Sequence, residues 1–199
     1  MDSVCLCIDL EGFCIPPAFH VREMGWCDHT GQHHGSLHYD PGLRWTKLTA
    51  EQHRHIWHVI RHIHGLSLHP PLNPLVGERI HPYHPVQALR DHVYTLYLQH
   101  ATPQRNVVAY KGGHFERDLL KELRIPSLDL EEHGCPKFND MLRLRTVPSC
   151  GQHRHNPQAH CAEVECYHFI QWMRGQCGSP RDMKFINEQR YNRFIQFSK

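Results

Sequence analysis

The order of strand-like and helix-like segments is the feature that most constrains the fold of this chain. Three short runs rich in strand formers come first, and a polar, Gly-containing segment separates the second from the third. Such a succession predicts an antiparallel meander. Strand-like runs then alternate with segments of helical periodicity, which is typical of an α/β protein with a mixed sheet flanked by helices. The predicted strands are 4–8, 19–26, 36–39, 107–110 and 127–130, and the predicted helices are 49–64, 84 or 85 onward, 115–123 and 162–173.

Size and composition predict one globular domain. The 199 residues are 40% apolar and 21% charged, which is sufficient to bury a core. We expect this domain to span 1–177, followed by a C-terminal extension at 178–199 that carries cations and aromatic rings. No apolar stretch is long enough to span a bilayer and none resembles a signal peptide, so we expect an intracellular location, cytoplasmic or nuclear.

Charge and cysteine content narrow the functional classes. The formal net charge is +2, so no overall basic field exists, and a nucleic-acid partner has to be argued from a local site. The nine cysteines are expected to be reduced thiols or metal ligands rather than a disulfide framework. Most of the 21 histidines are expected to be scattered surface residues, because their spacing before position 100 is not specific for a metal.

Acidic residues follow two of the predicted strands. Asp9 and Glu11 come directly after the first strand, and residues two apart on a strand point to the same side. Two carboxylates so placed can hold Mg²⁺ or Mn²⁺, although acids at a strand end are often merely solvated. In the segment VVAYKGGHFERDLL, a buried strand runs through a glycine turn into a helix whose first turn carries Glu116, with Asp118 as the alternative. An acid there also stabilises the helix dipole.

A third block lies near the start of the last predicted helix. His160 precedes Glu165 by five residues. Histidine can act as the general base for an attacking water while a nearby acid holds a metal ion. The alternative is that Glu165 is only a first-turn acid that complements the helix dipole.

Together, the three blocks resemble the DEDDh-type 3′–5′ exonucleases in order and approximate spacing. The chain is most similar to the exonuclease domain of arenavirus nucleoproteins and to the related Maelstrom domain. The resemblance implies a ribonuclease H-like fold in which Asp9, Glu11, Glu116 and Glu165 hold two Mg²⁺ or Mn²⁺ ions and His160 is the general base. Glu116 and Glu165 stand where those exonucleases usually have aspartate, which moves the carboxylate oxygens by one methylene.

A second metal site is suggested by Cys150, His153 and Cys161. Thiolate and imidazole are the ligands that zinc prefers, and these three lie within twelve residues. The same resemblance implies a structural Glu-Cys-His-Cys zinc site whose glutamate is Glu23. Rival ligands are His155, Cys166 and Cys135. The alternative is that the cysteines are buried thiols and His153 is a surface residue.

These expectations define the candidate functions. The first is a metal-dependent 3′–5′ exonuclease that hydrolyses nucleic acid at single-stranded or frayed ends, with RNA slightly favoured by the viral resemblance. The second is a non-catalytic, Maelstrom-like module that binds nucleic acid or protein. A zinc-only scaffold is the third, and it leaves the acids after the first strand unexplained.

Overall fold

A six-stranded mixed sheet with helices on both faces forms the centre of the molecule. A computed structural model describes residues 1–69, 83–141, His153 and 160–175. The predicted extension at 178–199 lies outside the described residues, so the expected domain boundary stays a prediction. Among the described helices, none has the length and apolarity that crossing a membrane requires.

The strand order is β4-β3-β2-β1-β5-β6. The first three strands form an antiparallel meander, whereas β5 runs parallel to β1 and β6 runs parallel to β5. This is the ribonuclease H-like order, so the predicted fold class is confirmed. The strands are β1 (Val4–Ile15), β2 (Ala18–Asp28), β3 (His34–Asp40), β4 (Tyr83–Pro85), β5 (Val107–Tyr110) and β6 (Ser127–Asp129), and the helices are α1 (Ala50–His62), α2 (Leu89–His100), α3 (His114–Glu122) and α4 (Ala162–Met173).

The prediction that the first strand stops before its acids is wrong. β1 continues to Ile15, and Asp9 and Glu11 lie within it, opposite Gly25 and Glu23 of β2. The extension forms because the apolar pattern resumes after the acids: Phe13 and Ile15 are buried against α1. The two carboxylates therefore project from the interior of a paired strand and not from its end.

The edge beyond β3 also differs from the prediction. Residues Tyr83–Pro85 form a short strand parallel to β3, and a 3-10 turn at Val86–Ala88 follows. Helix α2 consequently begins at Leu89, later than expected. Helix α1 begins as predicted, because the Thr49 side chain accepts from the backbone N–H of Gln52 in a capping box.

Alternation along β1 divides the core into two layers. Leu6, Ile8 and Leu10 pack towards α2 and α3, whereas Cys7 packs towards α4 with the apolar side chains of that helix. Side chains two apart on a strand share a face. Asp9 therefore lies on the face of the sheet that α4 covers.

Candidate active site and zinc site

Four carboxylates from three elements converge under the start of α4. Asp9 and Glu11 come from β1, while Glu116 and Glu165 lie in the first turns of α3 and α4. Burial raises the pKa of Asp9 well above its usual range, and the neighbouring charges of Glu165, Glu11 and Glu116 raise it further. The pKa of Glu11 is raised by burial and then by Glu165 and Glu23. The structure thus brings together all four acids that the sequence singled out.

Glu116 is held by backbone contacts on both sides. The backbone N–H of Leu10 donates to its Oε1 at 3.0 Å. Burial raises the pKa of Glu116 to about 7, against the lowering effect of its backbone hydrogen bonds. A Cβ at Gly113 would lie 1.6 Å from Glu116 Oε2, so any larger residue there would displace this carboxylate. The alternative acid, Asp118, is exposed and pairs with Arg117.

His160 adjoins the acids as predicted. Its Nδ1 lies 2.6 Å from Glu165 Oε1 and 4.0 Å from Glu11 Oε1. The imidazole of His160 and the carboxylate of Glu165 are thus within ion-pair distance. The angle between them does not meet that of a hydrogen bond, and Glu165 Oε1 accepts no hydrogen bond within the described part of the chain. The backbone N–H of His160 donates to the carbonyl of Ile63, at the end of α1, at 2.9 Å. Histidine and carboxylates therefore share one partly open cleft.

The acids fit a divalent cation. Asp9 Oδ2 and Glu116 Oε2 are buried and make no hydrogen bond within the described part of the chain. Glu11, His160 and Glu165 each place one ligand atom within 4.8 Å of the others. Buried oxygens without donors, in a group whose members repel each other, are stabilised by a cation, and oxygen ligands suit Mg²⁺ or Mn²⁺.

A second, fully buried cluster contains Glu23, His153 and Cys161. Their ligand atoms lie within 4.8 Å of one another. His153 Nε2 lies 3.1 Å from Glu23 Oε2, and that oxygen also accepts from the backbone N–H of Ala162 at 3.2 Å. His153 Nδ1 contacts the carbonyl of His64, which can only accept, so Nδ1 carries the proton and Nε2 faces the cluster.

This cluster favours positive charge. Burial lowers the pKa of His153, but Cys161 and Glu23 outweigh burial and raise it to about 11. One sulfur, one imidazole and one carboxylate around such a point suit zinc. The predicted Cys150 lies outside the described residues, as does the rival His155.

The other two rival ligands lie elsewhere. Cys135 and Cys166 are buried in the apolar layer between α4 and the sheet, together with Cys7. Burial raises the pKa of Cys166 well above its usual range. Both are core thiols and do not belong to the cluster around Glu23.

One close backbone contact positions both clusters. A Cβ on Gly25 would lie 2.0 Å from the carbonyl carbon of Ala162, so the start of α4 rests directly on β2. Gly25 pairs with Asp9 across the sheet. The contact therefore sets His160 and Cys161 above the acids of β1. A glycine within a strand is a known sign of close backbone approach, but the sequence does not reveal the partner.

The sequence reasoning missed one polar pair beside the site. Glu163 is buried on α4, and its Oε1 lies 2.7 Å from Nδ1 of His34 on β3. The pair ties the start of α4 to a third strand. The only sequence signal is that Glu163 and Glu165 are two apart and so face different sides of the helix.

Comparisons with known proteins give distant structural likenesses only. No family of known proteins matches the chain, and no curated protein does. Among solved structures, it is similar to an exonuclease domain of Mopeia virus fully depleted of manganese, at 16% identity and a TM-score of 0.47. It is similar to a partially manganese-complexed form of that domain at 16% identity and a TM-score of 0.45. Each alignment covers 90% of this chain and 82% of the viral domain. Likeness of this degree carries no argument about activity, and the fold assignment rests on the strand order.

Proposed function

We propose that this protein is a metal-dependent 3′–5′ exonuclease that hydrolyses phosphodiester bonds of nucleic acid. The observation that carries the proposal is the meeting of Asp9, Glu11, Glu116 and Glu165 beside His160 in one cleft. A buried cluster of mutually repelling acids costs stability, and such costs concentrate at functional sites. A purely structural role would not require four carboxylates in one place.

Each residue has a distinct role in this proposal. The four carboxylates would hold two Mg²⁺ or Mn²⁺ ions, which supply charge stabilisation for the attacking and leaving oxygens. His160 is half-buried and reaches the open side of the cleft, where its imidazole takes the proton of the attacking water. Glu165, in contact with Nδ1, stabilises the imidazolium that results.

The substrate is proposed to be a single-stranded or frayed 3′ end, with RNA slightly favoured over DNA. The 3′–5′ direction rests on the resemblance of the acidic blocks to DEDDh-type exonucleases, and the slight preference for RNA rests on the resemblance to the arenavirus domain. That resemblance includes two glutamates in place of aspartates, and both of them reach the cleft.

Zinc is proposed to be structural. Glu23, His153 and Cys161 are fully buried, and with Cys150 as fourth ligand they would form a closed tetrahedral site. Because Cys161 directly follows His160 in the chain, zinc binding would hold the base in place without taking part in hydrolysis.

Incubation with end-labelled linear RNA and DNA, and with circular RNA, tests the activity. We expect stepwise shortening from the 3′ end in Mn²⁺ or Mg²⁺ and none in EDTA. Circular RNA should stay intact, and its cleavage would assign an endonuclease instead. Tight binding without any cleavage would support the non-catalytic module.

Substitution of Glu165 tests the assignment of residues. Glu165→Ala should abolish hydrolysis with folding and zinc content intact, whereas Glu165→Asp should retain substantial activity because charge and ligand type are kept. Glu163→Gln is the matched control, since it removes a buried charge two residues away that faces His34. Full activity of the Glu165→Ala protein would remove this residue from the site.

A further inference from the structure

A row of contacting rings runs from the 3-10 turn at Trp45–Lys47 along α1 and ends in a cation. The Trp45 ring stacks on His53 at 4.3 Å between centroids and an interplanar angle of 7°. Trp45 meets the edge of Trp57 at 5.7 Å, and the Arg61 guanidinium lies 5.3 Å from the Trp57 ring centroid. Trp57 is 47% exposed, which is unusual for so large a side chain. We call these four residues the α1 ladder.

The ladder lies in a cationic part of a nearly neutral chain. Among the described residues, no carboxylate lies within ion-pair distance of Arg61. From 44 to 69 the only acid is Glu51, and the cations are Arg44, Lys47, Arg54 and Arg61. Local positive charge with exposed rings is the combination that binds single-stranded nucleic acid, because cations meet phosphates and rings stack on bases.

The ladder leads to the proposed active site. Ile63, at the end of α1, accepts a hydrogen bond from the backbone of His160. Trp57 precedes Ile63 by six residues, or about 9 Å along a helix axis at about 1.5 Å per residue. Phosphates of one strand are spaced by roughly 3.4 Å along a duplex and lie further apart in an extended single strand, so this distance corresponds to at most about three nucleotides.

We propose that the α1 ladder binds the single strand of nucleic acid within about three nucleotides of the bond that is cut. Trp57 stacks on a base, and Arg61 contacts a neighbouring phosphate. The inference rests on the proposed exonuclease function for the position of the cut bond. The strand-binding role of the surface can be measured without any hydrolysis.

Binding is measured by fluorescence anisotropy of a labelled 12-nucleotide oligouridylate in buffer without added Mn²⁺ or Mg²⁺, where the proposed hydrolysis cannot interfere and the structural zinc is not removed by a chelator. We expect Trp57→Ala to weaken Kd about ten-fold, as loss of one stacked base does, and Trp57→Phe to recover most of it. Arg61→Ala should lower the slope of log Kd against log salt by about 0.7. The matched control is Tyr94→Ala, since Tyr94 is 45% exposed on α2, away from the ladder. Absence of binding by the wild-type protein, or equal Kd for Trp57→Ala and Tyr94→Ala, would overturn the proposal.

Hydrolysis in Mn²⁺ separates this inference from the proposed function. The p-nitrophenyl ester of thymidine 5′-monophosphate is too short to reach Trp57, so wild-type and Trp57→Ala proteins should cleave it equally. The Trp57→Ala protein should show a raised KM for the 12-nucleotide RNA only. If the protein hydrolyses neither substrate, the exonuclease proposal is contradicted. The anisotropy result still decides whether the ladder binds the strand. An equal loss on both substrates contradicts the ladder, because it places Trp57 in the catalytic cleft.

Discussion

Replacing Gly113 by alanine tests how closely the activity depends on the position of Glu116. The new Cβ would lie 1.6 Å from Glu116 Oε2, and a real contact needs about 3 Å. The carboxylate therefore has to move by roughly 1.4 Å or more, and a shift of about 1 Å at a reacting centre can cost roughly 100-fold in rate. Gly113 has φ −81°, which alanine adopts without strain, so the backbone itself need not change.

The effect of this substitution on stability should be moderate. Glu116 loses the hydrogen bond from Leu10, at a cost of about 1–3 kcal/mol, while the stiffer unfolded chain returns about 0.4–1 kcal/mol. A net loss of about 1.3 kcal/mol lowers the Tm of a protein of this size by roughly 3–5 °C.

Thermal melts and initial rates on end-labelled RNA in Mn²⁺ are the measurements. We expect at least about a 100-fold lower rate from a folded protein, and a smaller rise of Tm on Mn²⁺ addition than in the wild type. Gly35→Ala is the control, because the atoms nearest to its Cβ belong to the Trp26 side chain, at 3.2 Å or more, and not to a carboxylate of the site. A folded Gly113→Ala protein with the wild-type rate would refute the role of Glu116.

Three further predictions concern the cluster around Glu23, the β2–β3 hairpin and the packing of α4 on β2. The Cys161→Ser protein should lose bound zinc and have a lower Tm, whereas the Cys166→Ser protein should keep its zinc. Metal analysis of the purified proteins measures this, and equal zinc content in both would contradict the assignment of Cys161 as a zinc ligand. Burial raises the pKa of Asp28, but hydrogen bonds from His33 and Thr30 outweigh it and hold the pKa below its usual value. Asp28→Asn should therefore cost about 1–2 kcal/mol in urea melts at pH 7, and the difference should disappear as the pH falls through the lowered pKa; a pH-independent difference would contradict this. Gly25→Ala should prevent the close packing of α4 on β2 and lower the free energy of unfolding by more than about 3 kcal/mol. An unchanged Tm would show that the backbone can relax at this contact.

Sequence patterns predicted most of the helices and strands because these elements depend mainly on residues that are close together in the sequence. Periodicity and the Thr49 cap predicted α1, and the apolar run at 107–110 predicted β5. The length of β1 was missed since it depends on distant partners. Phe13 and Ile15 count as strand residues only once α1 and β2 lie beside them.

The candidate site likewise has residues that the sequence indicated and contacts that it could not indicate. Residue types and order indicated the acids and His160, and the structure brings them together. Sequence favoured Glu116 but left Asp118 open, because both lie in the same helical segment and only the hydrogen bond from the backbone of Leu10 separates them. The pairing of Glu163 with His34 spans 129 residues and leaves no local trace.

The two clusters under α4 are assembled from residues that lie far apart in the sequence. The backbone of Leu10 meets Glu116 across 106 residues, and that of Ala162 meets Glu23 across 139. At translation rates of about 5–20 residues per second, roughly 8–30 s pass between synthesis of Asp9 and of His160. During that interval a nascent chain carries carboxylates without a base. For the proposed exonuclease, hydrolysis cannot begin before His160 has been synthesised.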